Sequence, residues 1–139
     1  MADTLDLRLN PALEPDRWAR QYAETRLVQI PDVFEPELAE KVSAILRETL
    51  NWRLVFPEPT AQGDGHEIVV QLTQQDVQRM GREAVSAQIG AVMQRAQKNY
   101  GYLYDAYPMI QAYTSHWDQG HPIHTITEFL NSREFLDFG

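Results

Sequence analysis

Two short runs of alternating side chains, separated by a stretch of turn-forming residues, constrain the fold of this chain more than any other feature. In residues 52–56 and in residues 68–72, every second side chain is apolar, so that in an extended chain these apolar side chains lie on the same face. Such runs are typical of β-strands. The intervening residues 57–65 include two prolines and two glycines, which favour a loop. The pattern predicts an antiparallel hairpin with a long loop.

Helical patterns flank this hairpin on both sides. Residues 15–25 predict a first helix with Pro15 in its first turn, where the missing N–H costs nothing. Residues 36–50 predict a strongly amphipathic second helix, since apolar residues recur at helical spacing. Residues 75–99 predict a long helix capped by Thr73, with Gly81 as a weak point. A short strand is predicted over residues 26–30.

The C-terminal part of the chain predicts shorter helices. An aromatic, irregular stretch begins at Tyr100, and a short helix is predicted over residues 123–130. Ser132 is expected to cap a further helix in which Phe135 is the first buried residue. The whole pattern predicts an α+β fold with helices packed on an antiparallel sheet, as a single or partial domain covering residues 1–139.

Charge and cysteine content exclude several classes of function. The formal net charge is -8 and no basic run occurs, so nucleic acids and anionic membranes are not expected as partners. The absence of cysteine excludes disulfides, thiolate zinc sites and cysteine nucleophiles. No segment has the roughly 20 apolar residues that a membrane-spanning helix needs, and the acidic N-terminus does not resemble a signal peptide. A cytoplasmic location is predicted.

Ligand-type side chains are concentrated in one stretch that holds His116, Asp118, His121 and His124. Two histidines and one carboxylate form the ligand set of many non-haem iron(II) sites, and His116-Trp117-Asp118 has the His-x-Asp spacing. The alternative interpretation is a polar turn, which the neighbouring Gln119-Gly120 favours. We expect the turn, and these four residues remain only weak candidates for a metal site.

Five tyrosines fall within fourteen residues of the chain, between Tyr100 and Tyr113. Such a cluster either packs against the core or stacks on a ligand, such as a proline-containing peptide. Tyr104 and Tyr113 are the first candidates for substrate-binding residues. No catalytic or cofactor-binding residue can be assigned from the sequence.

Four segments, in the same order, resemble landmarks of the prolyl 4-hydroxylase-like oxygenases, which depend on iron(II) and 2-oxoglutarate. Residues 27–34, followed by Pro36, look like the strand, turn and helix that open these proteins. The three later segments resemble landmarks of a bacterial branch of the superfamily, and they cover residues 51–56, 102–108 and 129–136.

The resemblance implies a double-stranded β-helix oxygenase that hydroxylates a prolyl or similar side chain of a protein, peptide or small molecule. In such proteins the His-x-Asp strand, the distal histidine and the basic residue for 2-oxoglutarate follow a segment like residues 129–136. The chain ends three residues beyond that segment. We therefore expect an N-terminal scaffold portion, inactive alone and binding neither cofactor by itself.

Two other hypotheses stay open at this point. The chain could be a non-enzymatic scaffold module that binds a partner or forms an oligomer through strand edges or tyrosines. It could also be a small metal-binding protein that uses His116, Asp118, His121 and His124.

Overall fold

The structure is a computed structural model that describes residues 5–63 and 65–139. The first four residues of the acidic N-terminus, and Asp64 of the predicted loop, lie outside the described residues. Within them the chain is an α+β protein with a three-stranded antiparallel sheet, which confirms the predicted fold class at this level. Residues 5–50 with Met109–Gly139 form one compact unit, and Asn51–Pro108 form the other. None of the described helices is both long and apolar enough to cross a membrane.

The described residues contain seven α-helices, one π-helical turn and three strands. The helices are α1 (Pro15–Thr25), α2 (Pro36–Ala44), α3 (Gln74–Met80), α4 (Arg82–Ala96), α5 (Met109–Thr114), α6 (Ile123–Leu130) and α7 (Arg133–Phe138), and the π-helical turn is Ile45–Thr49. The strands are β1 (Arg53–Pro59), β2 (Glu67–Leu72) and β3 (Tyr104–Ala106).

The predicted hairpin is present, with Phe56 of β1 opposite Val70 of β2. Strand β1 lies between β2 and β3. The connecting loop is shorter than predicted, because β1 continues through both prolines to Pro59. Proline is tolerated where a strand lacks a partner on one side, and β3 pairs only with residues 53–55. The Pro57 carbonyl instead accepts a hydrogen bond from Arg95 Nη2 at 2.9 Å.

The core of the Asn51–Pro108 unit forms where α3 and α4 cover this sheet. Phe56 is fully buried and packs with Leu72 and Val92. The prediction that Thr73 caps the following helix is confirmed. Its hydroxyl accepts from the Asp76 backbone N–H, and the Asp76 carboxylate accepts from the Thr73 backbone N–H, so two unpaired donors are satisfied together.

The predicted long helix over residues 75–99 is wrong in its extent, because it is divided at Gly81. This residue has φ 83° and ψ 159°, a conformation that is essentially open only to glycine. Helix α3 therefore ends before it and α4 begins after it, and α4 ends at Ala96.

Three further differences concern local backbone. The amphipathic helix over residues 36–50 is present, but it ends at Thr49 and its last turn, Ile45–Thr49, is π-helical. The predicted strand over residues 26–30 is wrong, since no described segment pairs with it, and a strand without a ladder partner leaves its backbone groups unsatisfied. The stretch predicted to be irregular contains β3 and α5.

The other unit is built around α6. Ile123 and Phe129 of this helix are buried, together with Leu50 and with Ala112 of α5. Ser132 caps α7 as predicted, and its hydroxyl accepts from the Phe135 backbone N–H at 3.3 Å. The prediction that Phe135 is buried is wrong, since its side chain is only partly buried and α7 has no fully buried residue. The succession of α5, a turn, α6 and α7 brings most of the predicted site residues into this unit.

Candidate functional site

The six residues singled out from the sequence divide between the two units. Tyr113, His116, Asp118, His121 and His124 belong to the unit that contains Met109–Gly139, whereas Tyr104 belongs to Asn51–Pro108. The two tyrosines proposed as substrate-binding residues are therefore not neighbours in one structural unit.

The His-x-Asp tripeptide lies in the turn that follows α5. The Trp117 backbone N–H donates to the Ala112 carbonyl at 2.9 Å and closes the end of the helix. His116 and Asp118 both have positive φ, 56° and 47°, and Gly120 follows with φ 83°. Left-handed backbone at alternate positions gives a tight turn and not a strand, as the Gln119-Gly120 pair predicts.

Both ring nitrogens of His121 have hydrogen-bond partners. Its Nδ1 accepts from the Ile123 backbone N–H at 3.0 Å, so the neutral ring carries its proton on Nε2. That Nε2 lies 3.1 Å from the Thr49 hydroxyl and 3.2 Å from the Thr49 carbonyl. His121 therefore joins the start of α6 to the π-helical turn. Pro122, between His121 and Ile123, is the N-cap of α6.

His124 is held by the same turn. Its Nε2 lies 2.6 Å from the Trp117 carbonyl, an acceptor, so Nε2 carries a proton. Its Nδ1 is buried and has no partner among the described residues. The Tyr113 ring packs against the imidazole with centroids 5.8 Å apart.

These four residues are not grouped as the ligands of an iron(II) site in the described part of the chain. Such a site needs two histidine nitrogens and a carboxylate on one face of the metal. His121 has both nitrogens in hydrogen bonds, and Nε2 of His124 donates to a carbonyl. In the part of the chain that the structure describes, no three His, Asp or Glu side chains are grouped closely enough to hold a metal ion.

Tyr113 instead forms a polar pair with a residue of α6. Its hydroxyl donates to Glu128 Oε1 at 2.9 Å. This hydrogen bond, the negative charge of Glu128 and partial burial all favour the neutral phenol and raise the pKa of Tyr113 above its ordinary value of 10.0. The pair lies at a cavity of about 380 Å³, which is also lined by Ile110, Thr127 and Asn131.

We expect Glu128→Gln to lower the pKa of Tyr113 toward 10, because glutamine keeps an acceptor but removes the negative charge. Since the folded-state pKa is raised, the pair stabilises the fold at pH values below 10 and this contribution is lost as the pH rises through the pKa of Tyr113. Carbon-13 NMR titration of labelled tyrosine measures the shift, and Tyr113→Phe assigns the signal. The control variant Glu24→Gln also removes one exposed charge and should leave the pKa of Tyr113 unchanged. If Glu128→Gln also left that pKa unchanged, Glu128 would not be the cause of the shift.

A second cavity, of about 490 Å³, lies along α2 and the π-helical turn in the same unit. Leu38, Ile45 and Pro122 are among its apolar lining residues. Four of its charged side chains form pairs: Arg8 lies 3.7 Å from Glu35, and Lys41 lies 3.7 Å from Glu37. Asp6 also lines the cavity, so its wall combines apolar side chains with largely paired charges.

Tyr104 belongs to a row of tyrosines in the Asn51–Pro108 unit. Tyr100, Tyr102 and Tyr104 alternate along the chain, with centroid separations of 6.1 Å and 5.3 Å. Tyr100 is 82% exposed and Tyr104 is 51% exposed. Partial burial is the largest of the effects that raise the pKa of Tyr102, followed by the neighbouring Tyr104 and Glu67. Tyr102 stacks on Tyr104, whereas the Tyr100 ring is tilted against Tyr102, so the row forms a partly exposed aromatic surface.

Comparison with known proteins does not add an identity to this geometry. No family model, no curated protein and no solved structure matched the chain.

The sequence alone did not single out the residues that surround Tyr113. Ile110 and Tyr113 are three positions apart on α5, and Thr127 and Glu128 of α6 lie four and three positions before Asn131, its C-cap. This helical spacing is the signal that could have grouped them. It required α5 to be recognised as a helix, and that helix was not predicted.

Proposed function

We propose that the chain is the N-terminal scaffold portion of an iron(II)- and 2-oxoglutarate-dependent oxygenase that hydroxylates a prolyl or similar side chain. The observation that carries the proposal is the order of the four sequence landmarks, together with where each one lies. Residues 27–34 lead into α2, residues 51–56 enter β1, residues 102–108 contain β3, and residues 129–136 join α6 to α7. The three later landmarks therefore contain or border an element, whereas residues 27–34 lie between α1 and α2 without a strand.

Two exposed apolar segments support the same proposal. Leu27, in the first landmark, is 77% exposed, and its segment has no ladder partner among the described residues. Strand β2 is at an edge of the sheet and exposes Ile68 and Val69. Apolar side chains of a strand edge are normally covered. Further strands of a double-stranded β-helix would cover them, and this chain would contribute the outer strands and bracing helices.

The described residues have no part in the oxygen chemistry under this proposal. Iron(II) with bound 2-oxoglutarate supplies the oxidant in such enzymes, and His116, Asp118, His121 and His124 are not grouped as its ligands within the described residues. Because both nitrogens of His121 and Nε2 of His124 serve hydrogen bonds, these histidines hold the turn between α5 and α6 in place.

The test compares this chain with the native protein that contains it. The native protein, isolated from its source, should have a mass greater than that of 139 residues and should release carbon dioxide from 1-carbon-labelled 2-oxoglutarate when iron(II) is present. The isolated chain should release none. A native protein of 139 residues that shows no iron-dependent turnover would overturn the proposal.

A non-enzymatic partner-binding module is the second candidate, and the exposed apolar edge of β2 favours it. This function predicts self-association or partner binding that a charge at the edge, such as Val69→Lys, abolishes. Light scattering over a range of protein concentrations distinguishes the two outcomes. A monomer at every concentration, together with turnover in the native protein, would remove this candidate.

A further inference from the structure

The side chains that line the cavity beside Tyr113 can accept further hydrogen bonds but have few donors left. The Tyr113 hydroxyl proton is already donated to Glu128 Oε1. The side-chain Nδ2 of Asn131 donates to the Thr127 carbonyl at 2.8 Å, and the Thr127 hydroxyl donates to the Ile123 carbonyl at 2.9 Å. The donors of the lining side chains are therefore largely committed to the protein itself.

The capacity that remains is almost entirely for accepting hydrogen bonds. Within residues 5–63 and 65–139, Oε2 of Glu128 and Oδ1 of Asn131 have no hydrogen-bond partner. The Tyr113 oxygen keeps a lone pair after donating its proton. Three acceptors, one of them on a carboxylate, line the same cavity. A ligand that satisfies them must donate hydrogen bonds and should carry a positive charge.

We propose that this cavity binds a primary ammonium group on an aliphatic stem. An ammonium is a compact charge with three donors, which matches the three acceptors in number. A guanidinium prefers a carboxylate with both oxygens open, and Glu128 Oε1 is already engaged by Tyr113. The Ile110 side chain, 58% exposed, and the Tyr113 ring offer apolar surface for the stem. This inference does not depend on the proposed oxygenase function.

The electrostatics of the chain and of the site agree with a cationic ligand. The net charge of -8 attracts cations in general. Glu128 has no salt-bridge partner within the described residues, whereas Glu35 and Glu37, at the other cavity of this unit, are paired with Arg8 and Lys41. The carboxylate beside Tyr113 is therefore open to a ligand ammonium.

The test uses n-butylammonium chloride as the probe and follows the backbone amides of the full chain by nitrogen-15 NMR. We expect saturable shifts at Ile110, Tyr113, Glu128 and Asn131. Glu128→Gln should weaken binding about tenfold, the size expected for a hydrogen bond to a charged group. Glu24→Gln removes one exposed charge elsewhere and should leave the affinity for butylammonium unchanged. Tyr113→Phe keeps the ring and should weaken binding about threefold, as for one neutral hydrogen bond.

Two further probes separate hydrogen bonding from charge and from apolar contact. Trimethylbutylammonium keeps the charge but has no N–H donor, and butanol keeps the stem but has no charge. Both should bind about tenfold more weakly than butylammonium. The proposal would be overturned if either probe bound as tightly as butylammonium. It would also be overturned if Glu128→Gln, shown to be folded by circular dichroism, bound butylammonium as tightly as the original chain.

A last comparison identifies the source of the ammonium. If N-acetyl-lysine-N-methylamide binds as tightly as butylammonium, the natural ligand is a lysine side chain of a peptide. If butylammonium binds and N-acetyl-lysine-N-methylamide does not, the natural ligand is a small metabolite amine. Both results support an ammonium site. Failure of both probes to bind at millimolar concentrations would overturn it.

Discussion

Replacing Phe56 by alanine is expected to destabilise the Asn51–Pro108 unit by about 3–5 kcal/mol, the usual cost of deleting a buried phenylalanine ring. Phe56 is fully buried and contacts both the sheet and helix α4 through Leu72 and Val92. The ring therefore fixes the helical layer on the sheet. Small domains have a total unfolding free energy of about 5–15 kcal/mol, so this loss removes a large part of the margin.

Urea denaturation and amide hydrogen exchange in β1 and β2 measure this effect. The matched control is Met93→Ala, one position from Val92 on α4, where the side chain is 55% exposed. An exposed substitution to a good helix former should change the unfolding free energy by less than about 0.5 kcal/mol. Equal stability of the Phe56→Ala variant and the original chain would show that this cluster is not the core of the unit.

Replacing Phe129 by alanine is expected to have the same size of effect on the other unit, about 3–5 kcal/mol. Phe129 is 7% exposed, and its ring lies between those of Phe34 and Phe135, with centroid distances of 5.6 Å and 5.5 Å. Aromatic pairs add about 0.5–1.5 kcal/mol beyond the area that they bury. The substitution therefore removes the contact that joins α6 both to the segment before α2 and to α7.

The control for Phe129 is Leu136→Ala on α7, where the leucine is 59% exposed. Its effect should be small, below about 0.5 kcal/mol. Amide exchange in α6 and urea denaturation report the difference between the two variants. A loss in Leu136→Ala as large as that in Phe129→Ala would mean that α7, and not the aromatic group, stabilises this unit.

The sequence predicts the fold well where an N-terminal proline, an alternating pattern or an explicit cap marks an element. The Pro15 helix, the hairpin strands, the Thr73 cap and the Ser132 cap all follow from local chemistry and are present. Periodicity could not show that Gly81 would adopt its unusual backbone conformation, since an isolated glycine within a helical pattern is tolerated. The segment 26–30 has the composition of a strand, but a strand depends on a partner elsewhere in the chain.

The candidate site was less predictable, because it depends on which side chains two helices bring together. Tyr113 was singled out for its aromatic neighbours, yet the contact that distinguishes it is with Glu128, fifteen residues away. A carboxylate on a helix gives no sign of this in the sequence. Conversely, the His-x-Asp spacing drew attention to His116 and Asp118, whereas their left-handed backbone places them in a turn.

The π-helical turn at Ile45–Thr49 has a consequence for insertions and deletions in this part of the chain. A π-helical turn holds more residues than an α-helical turn and is mostly found as a local insertion in an α-helix. Each residue of an α-helix rotates the following side chain by about 100°. Because the wider turn absorbs one extra residue, deleting one residue of Ile45–Thr49 should restore a regular α-helical turn and leave Leu50, 5% exposed, facing the interior. A second deletion would instead rotate Leu50 by about 100° and turn it away from its buried position.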